Sequence, residues 1–161
     1  MTTETQRENI IDLIIEIEGG AKLVDDPRDP GGLTRYGISQ RAFPAEDIRN
    51  LNIERARQLY RIHYWDAIRG DELPWGYALA MFDCAVNQGT RVAVRLMQRS
   101  LGITDDGAFG PITLRTLLAS NIIDVLPEYM DRRLKRYSET PNYDRFGRGW
   151  RKRLFHISML C

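Results

Sequence analysis

Glu18 stands at the place in the sequence that most favours acid catalysis. It ends an apolar segment, residues 7–18, and is followed directly by Gly19 and Gly20. A carboxylate at the C-terminal end of a helix faces the negative end of the helix dipole, and its apolar neighbours remove water from it. Both effects favour the protonated form that a general acid needs. The two glycines leave room beside it for a polymeric substrate.

A second carboxylate is available in the loop that follows Glu18. Glycoside hydrolysis usually requires two carboxyl groups, one on each side of the bond that breaks. Asp25, Asp26 and Asp29 lie 7, 8 and 11 residues after Glu18, in a segment rich in glycine and proline. Each aspartate taken alone has an alternative role in ordinary turn chemistry. The combination of one acid and a nearby acidic loop therefore carries the prediction.

Other side chains are suited to holding a sugar or a water molecule. Thr34 and Tyr36 supply hydroxyl groups in the same segment, and Asn87 offers both a donor and an acceptor to an N-acetyl group. Tyr64 and Trp65 offer aromatic faces on which a sugar ring can stack. The alternatives are a strand position for the hydroxyl residues, a helix C-cap for Asn87 and a place in the core for the aromatic residues.

Composition excludes several classes of protein. The chain has 161 residues with 23 basic and 22 acidic side chains, a net charge of +1, which argues against a nucleic-acid-binding domain. With 43% hydrophobic and 28% charged residues it is typical of a folded globular protein. Two cysteines, two histidines and no Cys-x-x-Cys pattern predict no disulfide framework, no metal site and no cofactor.

Positive charge is concentrated near the C-terminus. Residues 131–153 contain nine basic and three acidic side chains, which gives +6 for the segment and leaves −5 for the rest of the chain. Such a face attracts anionic wall polymers, lipid phosphates or acidic partners. The alternative is a solvated helix surface.

The elements that must position these residues are mostly helices. The apolar segment 7–18 predicts a buried helix that stops at the glycine pair, and residues 20–39 predict a loop or a small hairpin with a short strand between 33 and 38. Asn52 predicts a helix N-cap, and Pro111 predicts the first position of a helix ending near residue 120. Further helices are predicted at 74–86, 90–101, 122–138 and 144–158. The predicted class is mainly α.

The segment around Glu18 resembles a known enzyme family. The string Glu18-Gly19-Gly20, followed by DPRDPGGLTRYGI over residues 26–38, is similar to the N-acetylmuramidases of glycoside hydrolase family 108. These are lysozyme-like proteins found as phage endolysins and as bacterial muramidases linked to toxin secretion. The resemblance implies a lysozyme-like helical fold with a short Gly-rich loop or β-hairpin after the first helix.

The resemblance also implies the reaction and its residues. The substrate would be peptidoglycan, cleaved at the β-1,4 bond between N-acetylmuramic acid and N-acetylglucosamine, with Glu18 as general acid. Thr34 matches the threonine of the Glu/Asp/Thr arrangement in phage-type lysozymes. Asp29 keeps the closest spacing to Thr34 and is the first choice for the second carboxylate, with Asp26 as the competitor.

The second half of the chain extends the resemblance. DCAVNQG over residues 83–89 looks like the D-x-x-V-N-x-G segment of these enzymes, and residues 98–113 look like the peptidoglycan-binding-like region that follows their catalytic part. The implied organisation is a lysozyme-like catalytic region over 1–90. A helical peptidoglycan-binding-like region over 91–161 would be packed with it in one compact unit.

Two other functions remain open at this point. A lytic transglycosylase needs only Glu18, since the N-acetyl group of the substrate takes the second role, and a peptidoglycan-binding module needs no catalytic residue. The N-terminus shows no signal-peptide pattern, so we expect synthesis in the cytoplasm and action on the cell wall in the periplasm after release. A holin or an export system would provide that release. We expect a monomer that binds peptidoglycan and no nucleic acid.

Overall fold

The computed structural model describes residues 1–25 and 31–161. In these residues the fold is mainly α with one two-stranded antiparallel hairpin after the first helix, which confirms the predicted class. The elements are α1 (Glu4–Ile17), β1 (Thr34–Arg35), β2 (Ile38–Ser39), α2 (Ile53–Tyr60), α3 (Trp75–Gln88), α4 (Thr90–Ser100), α5 (Pro111–Ala119), α6 (Ile122–Ser138) and α7 (Tyr143–Leu160). A π-helical turn, Arg61–Trp65, follows α2, and single 3₁₀ turns cover Ile48–Asn50, Asp66–Ile68 and Gly70–Glu72. No helix in the described residues is long and apolar enough to span a bilayer.

The chain divides into two compact units. The N-terminal unit is Glu4–His63, and the C-terminal unit is Met1–Thr3 together with Tyr64–Cys161. The helices on either side of the predicted boundary at residue 90, α3 and α4, pack against each other within the C-terminal unit. The division into regions 1–90 and 91–161 stays a prediction.

In the N-terminal unit, α1 is held by burial of one apolar face. Its isoleucines are weak helix formers by themselves, but those on the inner face are fully buried (Ile10, Ile11, Ile14 and Ile15), and burial outweighs propensity. The helix stops at the predicted glycine pair, where Gly19 and Gly20 have φ of +113° and +56°. The Gly20 N–H donates to the Ile15 carbonyl at 3.0 Å and so closes the helix end.

The hairpin follows from two residues with left-handed backbone. Tyr36 and Gly37 have φ of +53° and +72°, and both central residues of a type I′ turn need positive φ. The pairs are Thr34 with Ser39 and Arg35 with Ile38. The small hairpin that the sequence offered for this segment is present, and the short strand predicted between 33 and 38 is divided into two strands of two residues because the turn falls in its middle.

In the C-terminal unit, α3 is buried almost all round and packs against α4, α6 and α7. Asp83 of α3 is fully buried between two arginines. It accepts hydrogen bonds from Arg133 Nη2 of α6 at 2.5 Å and from Arg153 Nε of α7 at 2.8 Å. One carboxylate thus ties three helices together.

Candidate active site

Glu18 is the first residue after α1. Its N–H donates to the Ile14 carbonyl at 3.0 Å, so its backbone continues the last helical turn. The side chain is half-buried, and its Oε1 atom is fully buried. The carboxylate therefore lies at the negative end of the helix dipole, partly removed from water, as the sequence predicted.

The segment after Glu18 is joined to the hairpin by backbone hydrogen bonds. The Tyr36 N–H donates to the Gly20 carbonyl at 2.9 Å. Val24 and Thr34 exchange two hydrogen bonds of 2.8 and 2.9 Å in an isolated antiparallel bridge. The end of α1 and the hairpin therefore form one connected piece of structure.

Arg35 adds a side-chain connection on the outer side of this piece. Its Nε donates to the Ala21 carbonyl at 3.2 Å, and its Nη1 donates to the Arg49 carbonyl at 3.1 Å. The guanidinium also stands 5.3 Å above the centre of the Tyr36 ring. This arginine joins the segment after Glu18, the hairpin and the 3₁₀ turn at 48–50.

Gly37 is in direct contact with the side chain of Glu18. A Cβ built on Gly37 would lie 2.7 Å from Cβ and 3.3 Å from Cγ of Glu18, and it would overlap the Tyr60 hydroxyl. Real Cβ atoms do not approach other atoms so closely, so only glycine fits between the two side chains. The hairpin turn thus packs against the stem of the predicted acid.

Thr34 and Tyr36 belong to the hairpin whose turn packs against Glu18. Thr34 lies in β1, and its Oγ1 donates to the Gly32 carbonyl at 3.1 Å. Tyr36 occupies the hairpin turn with its ring beneath Arg35 and is buried. The two candidates for the second carboxylate, Asp26 and Asp29, lie outside the described residues.

Trp65 differs from its prediction as a sugar contact. Its side chain is 0% exposed, its ring stands edge-on to Phe82 with centroids 5.3 Å apart, and its Nε1 donates to Asp71 at 3.0 Å. The indole therefore presents no face to a sugar ring in this structure. Trp65 is therefore a core residue of the C-terminal unit.

The two other substrate-binding candidates lie in the C-terminal unit. Asn87 is half-buried near the end of α3, and its Oδ1 accepts a hydrogen bond from the Tyr137 hydroxyl. Its amide nitrogen is the group left for a sugar. Tyr64 is half-buried within the π-helical turn. Their roles in binding stay predictions.

The basic segment 131–153 is partly structural. Arg133 and Arg153 neutralise the buried Asp83, and Arg132 forms an ion pair with Glu128 at 2.6 Å. The remaining exposed cations of the segment on α7 are Arg145, Arg148, Arg151 and Lys152. The net charge counted from the sequence therefore overstates the positive surface.

The segment 98–113 is organised around a buried glutamine. Gln98 Nε2 donates to Asp106 Oδ1 at 2.8 Å and to Thr113 Oγ1 at 3.1 Å, and its Oε1 accepts from the Gly107 N–H at 2.9 Å. The side chain is 2% exposed. This motif holds the loop before α5 in place, which is a structural role.

Sequence reasoning missed two residues that shape the site. Tyr60, on the buried face of α2, donates its hydroxyl to the Tyr36 carbonyl at 3.0 Å, and Arg35 makes the bonds described above. The pair Tyr36-Gly37, inside a short strand-like segment, is a sequence signal that could have located the hairpin turn. No local signal identifies Tyr60, because its partner lies 24 residues earlier in the chain.

Comparison with known proteins finds a matching family and similar solved structures. Residues 11–89 match the family described as Glycosyl hydrolase 108. The solved structure titled "Structure of Brucella abortus SagA" is similar over 98% of this chain and 94% of that chain, with a TM-score of 0.86 and 28% sequence identity. No curated protein matches. The matched segment contains Glu18, the hairpin and α2.

Proposed function

We propose, from the match of residues 11–89 to the glycosyl hydrolase 108 family, that the protein is a muramidase. The match supports a glycoside hydrolase and favours peptidoglycan hydrolysis of the lysozyme type. Cleavage of the β-1,4 bond after N-acetylmuramic acid, with Glu18 as the general acid, is the finer proposal.

One observation carries the assignment of Glu18. Its carboxylate lies at the C-terminal end of α1 with Oε1 buried, and its stem packs against the Gly37 turn. Glu18 gives its proton to the glycosidic oxygen as the bond from that oxygen to the anomeric carbon breaks. The sugar passes through an oxocarbenium-like state, and water then adds to the anomeric carbon to leave a reducing end.

Asp29 or Asp26 takes the second role in this proposal. One of them stabilises the oxocarbenium-like state or orients the attacking water, with Thr34 holding that water. Carboxyl groups about 5–5.5 Å apart give retention of configuration, whereas a separation of about 6.5–9.5 Å leaves room for the water and gives inversion. Replacing each aspartate by asparagine, one at a time, distinguishes them, because losing the catalytic one should lower the rate at least about 100-fold.

The decisive experiment is mass spectrometry of soluble fragments released from purified peptidoglycan. The proteins compared are wild type, Glu18→Gln and Glu16→Gln, which removes an exposed acid two residues away in the last turn of α1. We expect reducing N-acetylmuramic acid ends from wild type and Glu16→Gln, and none from Glu18→Gln at equal helix content.

The other outcomes select the other functions. Ends of the 1,6-anhydro type would identify a lytic transglycosylase and remove the aspartates from the mechanism. Wall binding without any released fragment from wild type would identify a binding module and refute the role of Glu18.

A further inference from the structure

We infer that Tyr60 is a positioning residue for Glu18: it holds the Tyr36–Gly37 turn against the acid and so limits where the carboxyl group points. This inference rests on the proposed function, since it concerns the same acid. Tyr60 itself is 1% exposed and is not a group that touches substrate.

The first step is the anchor of the turn. Tyr36 has a left-handed backbone, with φ of +53°, and its carbonyl accepts the Tyr60 hydroxyl at 3.0 Å. This hydrogen bond is buried, so water does not compete for either group. A buried carbonyl that loses its donor is left unsatisfied, at a cost that drives local rearrangement. The hydroxyl therefore fixes the turn in this position.

The second step is the contact between the turn and the acid. Gly37 fits closely between the Tyr60 hydroxyl and the stem of Glu18, since a Cβ added there would overlap the first and lie 2.7 Å from the second. Side-chain carbons pressed against a fixed backbone lose rotamer choices. The position of the turn thus restricts the side chain of Glu18.

The third step is the frame that holds Tyr60. Tyr60 lies at the end of α2, and Arg57 of α2 forms a two-pronged ion pair with Asp12 of α1, at 2.7 and 2.8 Å. The helix that carries Glu18 and the helix that carries Tyr60 are therefore joined to each other. Glu18 is therefore positioned in two ways. Its backbone follows α1, and its side chain contacts the hairpin turn that Tyr60 of α2 anchors.

Loss of the hydroxyl should slow proton delivery and leave substrate binding unchanged. A catalytic group that samples several orientations is in the reactive geometry for a smaller share of the time, which lowers kcat. Substrate affinity is unaffected because the buried Tyr60 makes no substrate contact.

The test measures kcat and KM on soluble peptidoglycan fragments for wild type, Tyr60→Phe and Tyr77→Phe. Tyr77 is the matched control, since it is also buried and its hydroxyl is 2.8 Å from Ser120 Oγ in the other unit. We expect Tyr60→Phe to lower kcat about tenfold with KM changed less than twofold, and Tyr77→Phe to leave both constants within twofold of wild type.

A double variant separates positioning from a general loss of stability. Removing the hydroxyl makes room for a methyl group at residue 37, so Gly37→Ala should lower kcat by a smaller factor in the Tyr60→Phe background than in wild type. Independent effects would multiply, and that result would overturn the inference. If Tyr60→Phe does not fold, the Gly37→Ala variant alone is the test. The inference then requires that this variant lowers kcat without raising KM, and an unchanged kcat overturns it.

The proposed function and this inference fail in different ways. An inactive wild type, or an active Glu18→Gln, refutes the proposed function. A wild type that depends on Glu18 while Tyr60→Phe keeps the full kcat refutes only the inference about Tyr60.

Discussion

Gly37→Ala tests whether the hairpin turn and the acid are packed as closely as the structure shows. The substitution adds one methyl group at a backbone position with φ of +72°. That methyl would lie 2.7 Å from Cβ of Glu18 and would overlap the Tyr60 hydroxyl. Both neighbours belong to buried or half-buried side chains, so neither moves away without disturbing its own contacts.

The expected loss of stability has two parts. A non-glycine residue in the left-handed region costs about 1–2 kcal/mol. Forcing an extra methyl group into packed surroundings costs about 1–3 kcal/mol more. The free energy of unfolding should therefore fall by about 2–5 kcal/mol, and activity should fall as well because Glu18 is displaced.

Gly102→Ala is the matched control for backbone strain. Gly102 has φ of +68°, and a Cβ added there meets nothing within 4 Å. Gly102→Ala should therefore cost only the backbone strain, about 1–2 kcal/mol of the free energy of unfolding, and leave activity unchanged. Urea unfolding followed by circular dichroism gives both free energies, and fragment release from peptidoglycan gives the rates. Equal losses of stability in the two variants, or full activity in Gly37→Ala, would refute the close packing of the turn against Glu18.

Three further predictions concern stability and pH. Asp83→Asn leaves Arg133 buried without its full counter-charge, so the free energy of unfolding in urea should fall by about 3–5 kcal/mol. Asn52→Ala removes the oxygen that caps α2 and should cost about 1 kcal/mol in the same assay. The Arg99 guanidinium, 2.5 Å away, lowers the pKa of Asp105, so this pair contributes stability above the ordinary aspartate pKa and loses it as pH falls through the lowered value. Arg99→Gln should raise that pKa in a carboxyl NMR titration.

Each of these has a control within the chain. Glu128→Gln breaks an exposed ion pair with Arg132 and should cost less than about 1 kcal/mol, so a cost equal to that of Asp83→Asn would contradict the account of burial. Asn52→Ser keeps a capping oxygen and should retain most of the stability. For Asp105, an unchanged pKa in Arg99→Gln would show that the arginine is not the cause of the shift.

The sequence by itself determined the features that depend on neighbours a few residues away. The glycine pair after Glu18 ends α1, Asn52 caps α2, and Pro111 begins α5, as predicted. These signals act through backbone hydrogen bonds and fixed φ angles within one turn of chain, so they need no information from the rest of the fold. The mainly α class and the position of Glu18 at a helix end follow from the same local rules.

Only the tertiary structure decided which side chains are buried and what they hold. Trp65 has an aromatic side chain of the kind that stacks on sugar rings, but it is buried and packs against Phe82. Arg133 counts as surface charge in the sequence but is fully buried against Asp83, 50 residues away. Tyr60 reaches the hairpin turn only because α2 returns to the end of α1. Such contacts join distant parts of the chain, so the residues next to a buried side chain in the sequence do not identify its partner.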